Sequence, residues 1–306
     1  MTRTPQPRTR YPEPITRAEV HGHDLVTRCF ATDEALAEVL HRYPGHLFDI
    51  NLYDYDDEGQ VSLRTGERGN LSGDQLLAAI QAGRLWVNLR DASEGCPELW
   101  AAAMQEYARI EGRYTGLKAV KNAGQLIISS PAARVPYHFD AAGVVLFHLR
   151  GRKRIFVYPG DEAHLPERCM EQVVARQTTE ELPYSLAFEA DAQIVDLEPG
   201  QALTWPLYAP HRVENLDLFC VSLSMDFQTW SSRLRNGALY ANAVMRSRGL
   251  NPGFTDRMAR PELAARWAAS LAFRRMGLMP SRIAHFQRDF TPDVAAEDGA
   301  AALRAA

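Results

Sequence analysis

"RVPYHFDAAGVVLFHLRGRKRIFVYP", residues 134–159, is the stretch that decides how the rest of the chain reads. "GVVLFHL" and "RKRIFVYP" are short, apolar and rich in β-branched residues, so each predicts a strand. Ahead of the first stand His138 and Asp140, two positions apart. Side chains alternate along extended chain, so these two point to the same side. One imidazole and one carboxylate on a common side supply two thirds of a metal site. Alone, His-x-Asp is a common surface pair, and it gains meaning only with a third ligand. In "RKRIFVYP", Lys153 shares a face with Ile155 and Val157, while Arg152 and Arg154 point the other way. A single cation on an apolar face needs an anion.

The third ligand must be distant in sequence and near in space. "EPGQALTWPLYAPHRVEN" offers His211, after a strand, a turn and two prolines. His138, Asp140 and His211 would form a facial triad of two histidines and one carboxylate. Such a set leaves positions open on ferrous iron for a chelating cosubstrate and for oxygen.

Gly200, Pro206, His211 and Asn215 stand at the spacing of the second cupin motif, with Tyr208 in place of its usual second glycine. An ordinary first cupin motif has His-x-His and a glutamate; this chain has His138-x-Asp140, with Val144 where the glutamate would fall. The segment 120–230 therefore resembles the JmjC-type, cupin-like branch of the Fe(II)/2-oxoglutarate oxygenases. "GRKRIFVYP" is most similar to the asparaginyl-hydroxylase subgroup. The resemblance implies a double-stranded β-helix (jelly roll), with Fe(II), 2-oxoglutarate and O₂ as cofactors. It implies that His138, Asp140 and His211 ligate the metal and that Lys153 binds the distal carboxylate of 2-oxoglutarate. In "CVSLSMDF", Cys220, Ser222, Ser224 and Asp226 share one face, and the resemblance places Ser222 and Ser224 beside the cosubstrate. The family often has asparagine near position 226; an aspartate there would repel a carboxylate. His148 shares the parity of Val144 and Leu146, so it reads either as a pocket residue or as a hydrogen-bonded core histidine.

Working outward, residues 1–16 are basic, proline-rich and without an apolar stretch, which predicts a disordered tail and no secretory signal. Residues 17–120 read as an α/β segment packing on the barrel. "HLFDINLYDY" and "RLWVNL" are its strands. "LSGDQLLAAIQAG" is a helix with a capping box from Ser72 to Gln75, and "PELWAAAMQEYARIEG" is a second helix with Pro97 in its first turn. Residues 121–230 are the catalytic barrel. From 231 to 306 the β signal ends, two helices follow ("SRLRNGALYANAVMRSRG" and "PELAARWAASLAFRRMG"), and the alanine-rich end frays. Leu263, Trp267 and Leu271 follow helical spacing; that face either packs on the barrel or makes a homodimer. His21, His23, His41, His46, His164 and His285 read as surface or loop residues, and Trp86, Trp100, Trp205, Trp230 and Trp267 mainly as core or interface.

The 306 residues are 46% hydrophobic and 24% charged, which suffices for a sizeable core. A net charge of −4 with no basic stripe argues against nucleic acid, and no apolar run is long enough to span a membrane. Cys29, Cys96, Cys169 and Cys220 are scattered without zinc-type pairing and read as reduced thiols of a cytoplasmic protein. The expected activity is hydroxylation of a C–H bond on a protein or peptide side chain, lying across the barrel mouth with the turn Asp54–Gln60 as one wall. The alternatives are a small-molecule hydroxylase of the same family, a metal-dependent cupin enzyme without 2-oxoglutarate, and a barrel that binds without turnover.

Overall fold

The structure is a computed structural model and describes residues 13–25, 32–55, 61–131, 133–216, 218–283, 288–293, 295 and 300–302. The strands are β1 (Glu19–Gly22), β2 (Phe48–Tyr55), β3 (Val61–Gly66), β4 (Leu85–Leu89), β5 (Lys121–Ser129), β6 (Arg134–His138), β7 (Gly143–Arg150), β8 (Lys153–Val157), β9 (Gln193–Leu197), β10 (Gln201–Thr204), β11 (His211–Asn215), β12 (Cys220–Gln228), β13 (Arg288–Pro292) and β14 (Ala300–Ala302). The helices are α1 (Asp33–Arg42), α2 (Gly73–Ala82), α3 (Ala92–Gly95), α4 (Pro97–Glu111), α5 (Glu167–Val174), α6 (Trp230–Arg246) and α7 (Arg260–Arg275).

Strands β5 to β12 make two facing sheets, in the orders β10-β7-β12-β5 and β6-β11-β8-β9, with every neighbouring pair antiparallel. That order is a double-stranded β-helix, as the sequence predicts. β7 explains its own composition: "GVVLFHL" is buried along its length because it lies mid-sheet between two apolar layers. On one side, Leu146 and Val144 meet Ile155, Val157, Leu203 and Val213 between the sheets. On the other, Val145, Phe147 and Leu149 join Leu36, Leu76, Ile80, Leu99 and Tyr107 of the helices. The tight link from β7 to β8 turns at Gly151, with φ +82°; a Cβ there would lie 2.5 Å from the Phe219 carbonyl.

The segment before the barrel does more than pack on it. β4 pairs with β5, β2 with β4 and β3 with β2, so the larger sheet continues past the barrel edge. β1 pairs with β10 at the other edge. Among the described residues this sheet has ten strands. Pairing satisfies the backbone groups that β5 would otherwise expose. "LWVNL" is built for the place: Leu85, Val87 and Leu89 enter the helical core, and Trp86 and Asn88 take the opposite face. The capping box is present, with Gln75 N–H donating to Ser72 Oγ and Ser72 N–H to Gln75 Oε1.

β structure also returns after residue 230, against the sequence reading. β13 runs parallel to β3, and β14, in the alanine-rich end expected to fray, pairs with β13. One fully buried side chain, Phe290, anchors β13 beside Gly66. A single aromatic in a polar stretch carries no periodicity to read. The two C-terminal helices form as expected. α5 and α6 cover the outer face of the smaller sheet through Met170, Val173 and Leu239, against Tyr137, Phe156 and Tyr158. α7 lies on α6, with Leu263 buried and Trp267 over Gly237, while Leu271 stays 50% exposed. No helix of the described residues is long and apolar enough to cross a membrane.

Candidate active site

β6 and β11 are neighbours in the smaller sheet, and their register sets His138 directly opposite His211. β6 ends at His138, so Asp140 stands in the bend before β7 rather than in a strand. The two-residue offset still returns its carboxylate to the histidines, with Asp140 Oδ2 3.3 Å from His211 Nε2. One ligand atom from each of His138, Asp140 and His211 lies within 4.8 Å of the others, a cluster that can hold a metal ion.

The tautomers are fixed from behind. His138 Nδ1 lies 2.8 Å from the Pro136 carbonyl, and His211 Nδ1 3.1 Å from the Ala209 carbonyl. A carbonyl only accepts, so both Nδ1 atoms carry the proton, which leaves Nε2 of each ring as the atom available to the cluster. Burial, and then the neighbouring His138, push His211 down to about 4, which keeps it a neutral ligand. Trp205 packs against the His211 ring at 4.7 Å between centroids. Tyr208 holds φ +65°, the left-handed region that glycine adopts freely. Its hydroxyl donates to Asn236 Oδ1 on α6 at 2.7 Å, and its ring is buried beside Phe139. The backbone bend before His211 is thus held by packing rather than by a glycine.

The triad borders a cavity of about 230 Å³ between the sheets. Lys153 lies in it, 0% exposed, its Nζ without a hydrogen-bond partner among the described residues. Its contact is the face of Trp86, 4.9 Å from Nζ to the ring centroid. Burial pushes the Lys153 ammonium down from its ordinary value. Its neighbour Arg154 points outward and pairs with Asp196 at 2.6 Å, so the alternation read from "RKRIFVYP" describes β8.

Ser224 lines the cavity, opposite Gln125 and Leu146 in the sheet. Ser222 lies deeper: its hydroxyl meets His148 Nδ1 at 3.0 Å, and His148 Nε2 meets the Gly151 carbonyl at 2.9 Å. His148 is therefore the hydrogen-bonded core histidine, pushed down to about 3 by burial and then by the nearby Lys153 charge. Asp226 borders an adjoining groove, where burial and the carboxyls of Asp140 and Glu180 raise it well above the carboxylate range. His21 and His164, read as surface or loop residues, are buried instead. His21 Nε2 meets Thr204 Oγ1 at 3.0 Å, and His164 Nδ1 meets Asp161 Oδ1 at 2.7 Å. His285, Cys29 and residues 56–60 of the expected substrate wall lie outside the described residues.

Sequence reasoning missed the far wall of the cavity. Tyr53 and Leu63, Trp86 and Asn88, and Gln125 and Ile127 line it from β2, β3, β4 and β5. The signal in "LWVNL" was its strict alternation, which leaves Trp86 and Asn88 on the face away from the helical core. Thr179, Glu180 and Glu181 reach the triad end from the loop after α5, where Glu181 bridges to His138 in β fashion. That loop has no period from which a position could be read.

The residues present fit the groups that the sequence suggests. Two imidazoles and a carboxylate suit a divalent first-row metal. A buried ammonium with no hydrogen-bond partner among the described residues, in the same cavity, suits an anion.

No protein-family model and no curated protein sequence matches the chain. Among solved structures it is similar to the Escherichia coli ribosomal oxygenase YcfD, at 15% identity and TM-score 0.46, over 90% of this chain and 70% of that one. It is likewise similar to YcfD in complex with cobalt and 2-oxoglutarate, at 16% identity and TM-score 0.45 with the same coverage. The DMSP lyase DddQ from Ruegeria pomeroyi aligns over 36% of this chain and 39% of its own, at 16% identity and TM-score 0.23. The fold assignment rests on this chain's own strand order.

Proposed function

We propose that the protein is an Fe(II)- and 2-oxoglutarate-dependent oxygenase that hydroxylates a C–H bond of a polypeptide side chain. The observation that carries this reading is one cavity with a three-ligand cluster at one end and a fully buried, unpartnered ammonium at the other. His138 and His211 would ligate through Nε2, their Nδ1–H groups staying on backbone carbonyls, and Asp140 would bring the negative charge. Lys153 would take the distal carboxylate of the cosubstrate, with Ser224 beside it and Ser222 holding His148 behind it. Val213, Ile155 and Leu146, packed between the sheets, keep water from the space between. Bound iron and 2-oxoglutarate would supply oxidative decarboxylation to succinate and CO₂, and with O₂ the oxidising power for the C–H bond.

A polypeptide substrate is supported by the groove that continues from the triad. Asp140 and Glu180 border both the inner cavity and a groove of about 440 Å³ that runs on to α6 and α7. The groove passes Asn236 and Trp267 and ends at Arg274, so it offers an extended chain polar contacts on both sides. A homodimer through the C-terminal helices would use the exposed Leu271 and Met276, since Leu263 and Trp267 are spent inside the chain. Light scattering on the full chain distinguishes a dimer from a monomer.

The test of activity is anaerobic reconstitution with Fe(II) and 2-oxoglutarate, followed by oxygen and pooled peptides. Succinate above the peptide-free background, with a +16 Da peptide product, supports the reading. Stimulation only by a metabolite extract would move the substrate to a small molecule. No succinate from iron-loaded protein under any of these conditions would remove the 2-oxoglutarate assignment.

A further inference from the structure

Trp86 comes from outside the eight barrel strands, yet it forms the inner end of the barrel cavity. We infer that Trp86 sets the chain length of the bound dicarboxylate: its indole closes the cavity behind Lys153 and admits a 2-oxo diacid of the length of 2-oxoglutarate but none longer. This rests on the cosubstrate reading above and adds a specificity-determining residue to it.

The sheet registers place the wall. Trp86 sits opposite Ser129 on β5, and Ser129 opposite Cys220 on β12. On the facing sheet, Lys153 sits between Asn215 on β11 and Leu197 on β9. The two sheets are tied together at this level by Asn215, whose Nδ2 donates to Ser129 Oγ at 2.9 Å and to the Ser130 carbonyl at 2.7 Å. Trp86 and Lys153 therefore meet where the barrel is already cross-linked. His211 and Asn215 are four residues apart on β11. Roughly 13 Å of strand thus separates the triad row from the Lys153 row. The side chains of both rows line the same cavity, so a diacid lying in it can meet both.

The indole cannot swing aside. Its Nε1–H donates to Asn88 Oδ1 at 2.9 Å, and its ring packs with Ile127, Ala133, Tyr53 and Val135. Its face is turned to the ammonium, which it attracts without occupying a single N–H donor. The donors are left for a carboxylate, and the space behind them is filled. An extra methylene in the ligand would have to enter the volume of the indole.

The experiment measures dissociation constants for 2-oxoglutarate and 2-oxoadipate by anaerobic calorimetry on the cobalt(II)-loaded protein, its Trp86→Leu variant and its Trp86→Phe variant. Wild type is expected to prefer 2-oxoglutarate by at least roughly tenfold, the size of one misplaced methylene in a filled pocket. Trp86→Leu should weaken 2-oxoglutarate roughly tenfold and tighten 2-oxoadipate, so the preference collapses. Trp86→Phe keeps an aromatic face but a smaller volume, and should fall between. If Trp86→Leu does not fold, the smaller collapse in Trp86→Phe decides the matter. A preference unchanged in folded variants would overturn the inference while leaving the cosubstrate reading intact. Wild-type protein that binds neither diacid would overturn that reading and the inference with it.

Discussion

At the outer end of the cavity, His138, Asp140 and His211 each bring a ligand atom within 4.8 Å of the others; at the inner end, no described residue accepts a hydrogen bond from Lys153 Nζ. The outer groups are oriented by hydrogen bonds to backbone carbonyls and partly meet solvent, with the Asp140 side chain 28% exposed. Among the described residues the inner group has no hydrogen-bond partner; it is shut from solvent against the face of Trp86, with Cys220 nearby. One end presents a ligand set that suits a cation, and the other presents a buried cation. The difference teaches that the two ends carry different stability costs. The outer histidines keep their Nδ1 hydrogen bonds and Asp140 keeps part of its contact with solvent, so that end costs little. A desolvated ammonium costs more, because no hydrogen-bond acceptor among the described residues replaces its water.

The largest expected effect is at the outer end. Even the hydrogen-bonding partners behind metal ligands are worth roughly 10–100-fold in metal affinity. Replacing a ligand itself by alanine, in His138→Ala, Asp140→Ala or His211→Ala, should exceed that range. Competitive titration with a metal indicator measures it. Three variants that bind as tightly as wild type would break the comparison at its outer end.

Next comes the inner end, where the expected sign is unusual. In the metal-free protein, Lys153→Met exchanges an unpaired buried charge for an apolar chain of similar shape. Removal of poorly compensated buried charges has stabilised proteins by on the order of 1–4 kcal/mol. The melting temperature should therefore rise. The pH dependence has a definite direction too. Burial depresses the folded pKa of Lys153 below its ordinary 10.5. Between those two values the unfolded chain binds more protons than the folded one, so stability rises with pH there. The gain is complete above 10.5 and is absent below the folded pKa. Lys153→Met should flatten that rise, which denaturant melts at pH 7 and pH 10 would reveal. A lower melting temperature for the variant would mean that Lys153 is compensated within the chain.

The smallest effect sharpens the contrast on a single strand. Arg154 is the neighbour of Lys153 and points outward, its side chain 40% exposed and paired with Asp196. Exposed ion pairs contribute little, because solvent screens them. Arg154→Ala should thus change stability far less than Lys153→Met does and leave cosubstrate affinity alone. A change of comparable size would show that β8 depends on both of its faces.

These contrasts also mark how far the sequence could be read. The smaller sheet was legible because its chemistry is carried by parity and spacing: His138 and Asp140 two apart, Lys153 among Ile155 and Val157, His211 after its turn. The larger sheet was legible only as strands. Its wall residues face the cavity because β4 pairs with β5 across a long sequence separation, and no local pattern encodes a partner. Trp86 therefore looks like any other core tryptophan until Lys153 is seen against it. β13 was hidden for a similar reason, since one buried phenylalanine suffices to dock it on β3. Tyr208 illustrates a substitution whose backbone role survives: the left-handed turn persists with the ring buried and its hydroxyl held by Asn236.

The central claim is that one ligand bridges the two ends, and a calorimetric titration of 2-oxoglutarate tests it most directly. The titration compares metal-loaded wild type, metal-free wild type and metal-loaded Lys153→Met under anaerobic conditions. A charge-assisted contact in a largely dry cavity contributes roughly 1.5–3 kcal/mol, so loss of Lys153 should weaken binding roughly ten- to a hundred-fold. Removal of the metal should weaken it separately, while Lys153→Met should leave metal affinity as in wild type. Affinity for 2-oxoglutarate that is the same in all three samples would contradict the account.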